Sequence, residues 1–375
     1  MAAKGTPRYL EAVIREDLAR KMVFLSGARQ IGKTTLAKRL LGKNDAGYLN
    51  WDLAEHRERI LKRELPATSL WVFDEIHKYR SWRGFVKGLY DTRRAKQRIL
   101  VTGSARLDFY RHGGDSLQGR YHLWRLHGLS VAELGITTQA DLRQLLLLGN
   151  FPEPFFSGSE RQARRWSREY RSRLVREDVA SLERIHDLGA LELLVLRLPD
   201  LVGSPLSINA LREDLQTSHK TVSSWLAILE RMYSVFRLSP FGAPKLRAVK
   251  KEQKLYQFDW TAIEQPGPRF ENLVAVHLLK WVSFQEDHAG RELELRYFRD
   301  IDGREVDFVV TEHRRPILAV ECKVSDEAAS KSLRYFKAKF PACDTWQVSL
   351  EGTKDYVTPD GIRVTPALSW LHTLI

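Results

Sequence analysis

The sequence predicts an α/β fold class in which a parallel sheet with helices on both faces comes first. A helical connector, a winged helix and a second α/β domain follow. Short apolar runs at 22–25, 70–73 and 99–101 alternate with segments of helical periodicity, which is typical of buried parallel strands. At 375 residues the chain is too long for one ordinary domain. The predicted domains are residues 1–130, 131–200, 201–262 and 263–375.

The stretch MVFLSGARQIGKTTLAKRLLG at 22–42 is a predicted strand, glycine loop and helix start. In that context, G-x-x-x-x-G-K-[ST] predicts a phosphate site. Loop amides and the helix N-terminus direct positive partial charge at the phosphates, and glycines let the backbone approach. Lys33 adds a full charge, and Thr34 offers a hydroxyl to Mg²⁺. The predicted nucleotide-binding residues are Gly27, Ala28, Arg29, Gln30, Ile31, Gly32, Lys33, Thr34 and Thr35. The alternative is an ordinary glycine-bearing turn.

Two more apolar runs end in polar residues that suit the same site. Asp74 follows the second run and is predicted on the Mg²⁺ side, while Glu75 is the predicted hydrolytic base. The third run ends at Thr102 and Ser104, either of which is placed to sense the γ-phosphate. Each run alone also suits a core strand with a polar end. The three in this order predict a P-loop ATPase that uses ATP and Mg²⁺.

Arg120 follows a glycine-containing loop and enters a predicted strand. In oligomeric P-loop ATPases an arginine from a neighbouring subunit often completes the site and contributes about 10³–10⁵ in rate. Arg120 is predicted to act in this way, which implies a homo-oligomer. Arg106 is the rival candidate, and a plain surface arginine is the alternative.

The charge balance favours a polyanion as partner. The 60 basic residues exceed the 47 acidic ones and give a net charge of +13, which favours nucleic acid first and an anionic membrane surface second. No apolar run approaches the length of a transmembrane helix, and the N-terminus has no apolar signal region. The two cysteines, Cys322 and Cys343, suggest a reducing compartment. We therefore expect a cytoplasmic protein with no membrane partner.

Residues 161–176 contain seven arginines and one acid, Glu169. At helical period, an apolar face forms from Ala163, Trp166, Tyr170 and Leu174. The opposite side, here called the arginine face, comprises Arg161, Arg164, Arg165, Arg168 and Arg171. A face with so few acids suits the phosphates of DNA. The alternative is a solvated helix surface.

Residues 205–238 have the pattern of a winged helix-turn-helix. Ser207 is placed to cap a first helix, a second helix spans 219–231, and a wing strand follows at 235–238. Near the start of the second helix, where such folds contact DNA, the outward residues are Ser218, His219, Lys220, Thr221 and Ser224. The alternative is a structural spacer.

The last predicted domain contains acids spaced for metal chemistry. Asp307 lies fourteen residues before Glu321, and Glu321 and Lys323 share one face of a predicted strand. Two carboxylates hold a Mg²⁺, or Mn²⁺, that polarises a phosphodiester, and Lys323 is suited to orient the attacking water. Glu271, on the preceding helix, is the predicted outer metal ligand or support. An exposed Glu–Lys ion pair is the alternative.

The arrangement of these motifs resembles AAA-type ATPases of bacteria and archaea whose C-terminal half is the domain of unknown function 4143. The resemblance rests on GARQIGKT at 27–34, FDEIHK at 73–78, TGS at 102–104, SLQGR at 116–120, FPE at 151–153, FEN at 270–272, EVD at 305–307 and ECK at 321–323. The last hundred residues also resemble PD-(D/E)XK nucleases, with all four site positions filled (Glu271, Asp307, Glu321 and Lys323). The family implies only an ATPase with a partner domain.

The function expected from the sequence is that of a DNA-acting ATPase with a fused metal-dependent nuclease-like domain, working on branched or processed DNA. A first alternative is an ATP-controlled module that binds DNA or protein through a catalytically silent nuclease fold. A second is a signalling NTPase without nucleic acid, which the net charge and the arginine face disfavour.

Overall fold

The computed structural model describes residues 7–43, 45–103, 117–179, 187–242 and 252–375. The predictions for Ser104 and Arg106 and the motif residue Ser116 lie outside these ranges. The described residues divide into two compact units, one from residue 7 to His127 and one from Gly128 onward.

The described strands of the first unit form a parallel sheet. They are β1 (Met22–Gly27), β2 (Tyr48–Asn50), β3 (Leu70–Asp74), β4 (Arg98–Gly103) and β5 (Tyr121–Leu126), in the order β2-β3-β4-β1-β5. The described helices are α1 (Glu11–Asp17), α2 (Lys33–Leu41), α3 (Ala54–Lys62) and α4 (Trp82–Thr92). The predicted parallel sheet is thus confirmed, and it brings the carboxyl ends of all its strands to one edge.

The inner strand β1, between β4 and β5, is buried along its whole length. Phe24 stacks on Tyr121 with ring centroids 4.2 Å apart and lies 5.6 Å from the ring of Trp82. A strand covered on both faces needs apolar residues throughout, which explains the unbroken run at 22–25. The glycine loop therefore begins at the end of a strand that is packed on both faces.

The second unit begins with helices that the sequence places in a connector. They are α5 (Val131–Leu134), α6 (Gln139–Leu148), α7 (Pro152–Ser157), α8 (Glu160–Arg173), a π-helical turn (Leu174–Val179) and α9 (Leu188–Arg197). Ser130, Thr138 and Ser159 cap α5, α6 and α8 by accepting bonds from backbone N–H groups three residues on. The apolar side of α8 packs on Phe151 through Trp166 and Tyr170, so its position is fixed by an aromatic cluster.

In the described ranges 205–242 and 252–257, the elements are two helices and three short strands. The helices are α10 (Ile208–Asp214) and α11 (His219–Arg231), capped by Ser207 and Ser218. The strands β6 (Pro205–Leu206), β7 (Val235–Leu238) and β8 (Gln253–Gln257) form an antiparallel sheet in the order β6-β8-β7. The sequence indicated both helices and β7, but not β8.

The C-terminal part is built on a mixed sheet of order β13-β14-β12-β11-β10-β9. Its described elements are α12 (Pro266–Ala289), β9 (Leu293–Arg299), β10 (Glu305–Glu312), β11 (Arg315–Lys323), α13 (Lys331–Lys339), β12 (Asp344–Ser349), β13 (Tyr356–Val357), β14 (Arg363–Pro366) and α14 (Ala367–Leu371). Strands β10 and β11 are antiparallel and pair Phe308 with Val320. Continued by one residue, that register sets Asp307 opposite Glu321.

None of the helices in the described ranges is both long and apolar enough to cross a membrane. Cys322 and Cys343 are free cysteines.

Candidate nucleotide and carboxylate sites

The glycine loop follows β1 and requires glycine at its first position. A Cβ on Gly27 would lie 2.5 Å from the carbonyl oxygen of Leu126 on the neighbouring β5, closer than real contacts allow. Gly32 has a φ of 101° as the N-cap of α2, a left-handed backbone that glycine adopts without strain. These two glycines fit the loop tightly between the sheet edge and α2.

Lys33 and Thr34 are the first two residues of α2, directly after the glycine loop. The Lys33 ammonium is buried and donates to the carbonyls of Gly27 at 3.0 Å and Ala28 at 2.7 Å. Thr34 and Thr35 are exposed. No local signal in the sequence marks Arg8. Its guanidinium donates to the carbonyl of Ile31 at 2.8 Å and so helps to hold the glycine loop in place.

Asp74 lies at the centre of a hydroxyl network at the sheet edge. Strand β4 lies between β1 and β3, so Thr102 pairs with both Leu25 and Asp74. The Asp74 carboxylate accepts hydrogen bonds from Thr34 at 2.8 Å, from Thr102 and from Tyr48. Predicted residues from three separate segments therefore meet at one carboxylate.

The sequence analysis missed Tyr48, because nothing in its local pattern distinguishes it from a core strand residue. Burial, together with the hydrogen bond to Asp74 and its negative charge, raises the pKa of the Tyr48 phenol. The phenol therefore stays protonated and remains a donor to Asp74, which keeps that carboxylate oriented.

Glu75 lies immediately after β3 in a left-handed backbone conformation, with φ of 56°. For a non-glycine residue such a conformation costs on the order of 1–3 kcal/mol and is common at functional sites. Its Oε2 lies 3.6 Å from His77 Nε2 and 3.6 Å from Lys78 Nζ. Burial lowers the pKa of His77, which favours a neutral imidazole beside Glu75.

Arg120 lies at the amino-terminal end of β5, whereas the glycine loop follows the carboxyl-terminal end of the neighbouring β1. Met22 pairs with Tyr121 and Gly27 pairs with Leu126, so Arg120 precedes the start of β5, roughly 17 Å or more from the loop along the strands. Its guanidinium donates to Asp91 at 2.8 Å, which lowers the pKa of that carboxyl. Its predicted role therefore requires the nucleotide of a second subunit.

The arginine face is narrower than the sequence pattern predicts. Arg171 is only partly exposed, and burial lowers its pKa, so it does not join the outward set. Glu160 pairs with Arg164 at 3.2 Å and Glu169 with Arg165 at 2.8 Å, while Glu192 pairs with Arg176. Because Glu160 and Glu192 lie outside 161–176, the local count of acids missed them. Within the described residues, Arg161 and Arg168 are exposed without an acidic partner.

The predicted C-terminal acids come together at adjacent strand positions. The Asp307 carboxylate accepts the backbone N–H of Cys322 at 2.8 Å, and Lys323 Nζ lies 3.0 Å from Glu321 Oε1. Glu321 Oε2 is buried and accepts no hydrogen bond from the described residues. The buried Glu321 carboxylate, which has one unused oxygen, thus lies beside the partly buried Asp307 carboxylate.

Two residues without any local signal in the sequence, Tyr256 and Lys254, lie against Glu271. Tyr256 OH donates to Glu271 Oε1 at 2.7 Å, and Lys254 Nζ lies 3.7 Å from the same oxygen and 2.5 Å from Glu305 Oε1. Lys254 and Tyr256 belong to β8, in a different predicted domain, and no local signal marks them. We use "carboxylate cluster" below for Glu271, Glu305, Asp307 and Glu321.

The electrostatics of the carboxylate cluster follow from its burial. Burial and the charge of Asp307 raise the pKa of Glu271 to about 8 and that of Glu321 to about 7. Burial also raises the pKa of Asp307. Asp307 and Glu321 fit a Mg²⁺, which proteins often hold by one or two carboxylates and water. Among the residues described, no three His, Cys, Asp or Glu side chains are grouped to hold a metal, so Glu271 is not a third ligand in this arrangement.

Comparison with known proteins agrees with the geometry of the first unit. Residues 19–135 match the family model described as an AAA domain. The first unit carries an AAA-type ATPase domain. ATP and Mg²⁺ are its implied cofactors, and ATP hydrolysis is its implied activity.

Two further family models match the rest of the chain. The AAA-type domain is followed by a match to domain of unknown function 8612 at 139–261 and to domain of unknown function 4143 at 266–370. The resemblance to domain 4143 is confirmed, but it covers only the last of the predicted domains rather than the C-terminal half.

Uncharacterized proteins of Mycobacterium bovis and Mycobacterium tuberculosis are each 26% identical over 326 residues, covering 84% of this chain and 73% of theirs. Two solved structures give weak likenesses at 13% identity and a TM-score of 0.23. One is a signal transduction ATPase with a tetratricopeptide repeat sensor from Pyrococcus horikoshii, with 76% of this chain and 49% of that chain covered. The other is Drosophila ORC bound to DNA, with 65% and 89% covered. Such a score is too low to indicate a shared overall fold.

Proposed function

We propose that this AAA-type ATPase hydrolyses ATP in response to DNA and works as a homo-oligomer. The observation that carries the ATPase proposal is the Asp74 carboxylate, which accepts bonds from Thr34 and Thr102 beside the Lys33 loop. No other acid in the described residues has this combination of a P-loop hydroxyl and a neighbouring strand hydroxyl as donors.

Each residue of this site has a proposed role that its position supports. The loop from Gly27 to Gly32 surrounds the phosphates with backbone amides, and Lys33 turns from the loop carbonyls to the β- and γ-phosphates. Thr34 and Asp74 would hold Mg²⁺, which would supply positive charge against the charge developing on the phosphates. Glu75 accepts a proton from the attacking water, and the Thr102 hydroxyl turns from Asp74 to donate to the γ-phosphate.

DNA is the proposed partner because two exposed surfaces suit it. Arg161 and Arg168 project from α8 without acidic partners in the described ranges, and guanidinium groups bind phosphates well. On α11, Ser218, His219, Lys220 and Ser224 are exposed and Thr221 is partly so. Helices α10 and α11 with the sheet of β6, β7 and β8 support the proposal that residues 201–262 are a winged helix.

The test is ATP turnover by purified protein without DNA and with linear, forked and four-way DNA. Stimulation by at least one DNA form, lost when Lys33 is replaced, supports the proposal. Turnover that no DNA form changes, with DNA binding absent in a separate assay, contradicts the DNA part and favours the signalling alternative.

A second candidate function is phosphodiester cleavage by a PD-(D/E)XK-like site, at residues 263–375. It is favoured by Asp307, Glu321 and Lys323 occupying neighbouring positions on β10 and β11. Mg²⁺ or Mn²⁺ on the two carboxylates would polarise the scissile phosphate. Lys323 is then placed to hold the attacking water or to stabilise the developing charge.

Cleavage is tested with labelled forked and four-way DNA plus Mg²⁺ or Mn²⁺. Cuts that disappear in both Asp307→Ala and Glu321→Ala while ATP turnover persists support two separate active sites. Cuts that persist in both variants indicate a contaminating nuclease. DNA binding without any cut favours the alternative of an ATP-controlled binding module.

A further inference from the structure

Lys254 is the buried cation of the carboxylate cluster. Its side chain is only 1% exposed, and its ammonium contacts Glu305 Oε1 at 2.5 Å and lies 3.7 Å from Glu271 Oε1. The ring of Tyr297 lies 5.4 Å from the same ammonium. An ammonium in such surroundings is stabilised by acids on two different elements, β10 and α12.

Glu271 cannot easily turn away from Lys254. Tyr256 OH donates to Glu271 Oε1 at 2.7 Å and fixes that oxygen. Behind it, a Cβ added at Gly203 would come within 2.9 Å of Glu271 Oε2, so the backbone of Gly203 packs closely against the carboxylate. The carboxylate is therefore confined between Tyr256, Gly203 and Lys254.

The ionisation state of Lys254 agrees with these contacts. Burial alone would lower the pKa of Lys254, but the negative charges of Glu271, Asp307 and Glu305 raise it. Lys254 is therefore a charged ammonium at neutral pH, within the same electrostatic environment as the acids proposed to bind a metal. A monovalent cation fixed there opposes the entry of a divalent one, because like charges repel strongly where water is excluded.

We propose that Lys254 is the resident cation of the carboxylate cluster and competes with a divalent metal for it. Metal occupancy of Asp307 and Glu321 then depends on whether β8 keeps Lys254 docked against β10 and α12. The inference deepens the second candidate function by sharing its carboxylates, but it concerns metal binding and does not need cleavage to occur.

The experiment measures Mn²⁺ binding to the nucleotide-free full chain, from the electron paramagnetic resonance signal of free Mn²⁺. The proteins are wild type, Lys254→Met and the double variant Lys254→Met with Asp307→Asn. The matched control is Lys280→Met, since Lys280 is equally buried but bonds to Gly128, Ser130 and Glu133 instead. Circular dichroism establishes that each variant is folded.

We expect Lys254→Met to bind Mn²⁺ about tenfold more tightly than wild type or more, since one opposing charge has been removed. The double variant should lose that gain, Lys280→Met should match wild type, and Mn²⁺ should raise the melting temperature of Lys254→Met. Equal Mn²⁺ affinity in wild type and Lys254→Met would overturn the proposal.

Wild type provides a second readout if Lys254→Met does not fold. Micromolar Mn²⁺ binding by wild type that Asp307→Asn removes contradicts competition, and Lys254→Gln, which removes the charge but keeps a polar side chain, takes the place of Lys254→Met with the same expected gain in affinity. Tight Mn²⁺ binding by Lys254→Met without DNA cleavage would leave this inference standing while the cleavage proposal fails.

Discussion

At the scale of single residues, the proposed nucleotide site separates Lys33, the residue proposed to bind phosphate, from Glu75, the residue proposed to act on water. Lys33 is the first residue of α2, directly after the glycine loop, and Glu75 directly follows β3. Removing one should affect binding, and removing the other should affect only the hydrolytic step.

Lys33→Ala is expected to abolish ATP turnover because it removes the full positive charge from the phosphate loop. Steady-state phosphate release measures this, and Lys43→Ala, at an exposed position just after α2, is the charge-matched control. Turnover by Lys33→Ala at the rate of the Lys43→Ala control would contradict the phosphate assignment.

Glu75→Gln is expected to bind ATP with little change while losing hydrolysis by about 10²-fold or more, as for removal of a general base. Nucleotide binding is followed with a fluorescent ATP analogue and hydrolysis by phosphate release. Undiminished hydrolysis by Glu75→Gln would disprove the base assignment.

At the scale of elements, α8 shows how pairing within a helix changes a surface. Arg164 and Arg165 each have a glutamate four residues away, whereas Arg161 and Arg168 have none among the residues described. Exposed pairs of this type contribute little to stability, but their charge is partly neutralised. The two pairs of arginines therefore make an internal comparison on one helix.

Replacing Arg161, Arg164, Arg165 and Arg168 together with Gln should weaken DNA binding and flatten its salt dependence. Each lost phosphate contact changes the slope of log K against log salt by about 0.9 on duplex DNA. The Arg161→Gln and Arg168→Gln double variant should account for most of the change, and the Arg164→Gln and Arg165→Gln double for less. An unchanged slope in the fourfold variant means that this face is only solvated.

Helix α12 contains a buried histidine, His277, whose two hydrogen bonds require the neutral form of its imidazole. His277 Nδ1–H donates to the carbonyl of Leu273 at 2.8 Å, and Nε2 accepts the backbone N–H of Val131 at 3.2 Å. Burial lowers the pKa of His277 to about 4 from an ordinary value of 6.5. A proton on Nε2 would point at the backbone N–H of Val131, which is itself a donor, so protonation would break this hydrogen bond.

The His277 imidazole binds a proton more readily in the unfolded chain than in the folded one. The free energy of unfolding should therefore fall as the pH drops from about 6.5 to 4. The loss should approach about 3 kcal/mol below the folded pKa. Urea denaturation between pH 7.5 and 4.5 measures it. His277→Gln should flatten the pH dependence relative to His313→Gln, a control at an exposed histidine. The same slope in both variants would show that His277 is not responsible.

At the scale of the whole molecule, Arg120 cannot act on the nucleotide of its own chain, since it lies at the opposite edge of the sheet. Mixing Arg120→Ala with Lys33→Ala protein should restore part of the ATP turnover at mixed interfaces, because each variant keeps the half that the other lacks. Co-assembly is verified by light scattering and by capture of one tagged variant. Mixtures that co-assemble without any recovery would count against action in trans.

The sequence by itself determined the parallel sheet, the glycine loop and the meeting of Asp307 with Glu321. Strand alternation and the G-x-x-x-x-G-K-T spacing are local, and strand register follows from side chains that alternate at period two. The same local logic placed the caps at Ser207 and Ser218.

Only the tertiary structure decided the partners that come from distant segments. Tyr48 bonds to Asp74 across 26 residues, and Lys254 enters the carboxylate cluster from a different sheet. Glu192 neutralises Arg176 from another helix. A buried polar group must find a partner wherever the fold provides one. Local patterns contain no information about that choice, because it depends on how sheets and helices pack rather than on spacing along the chain.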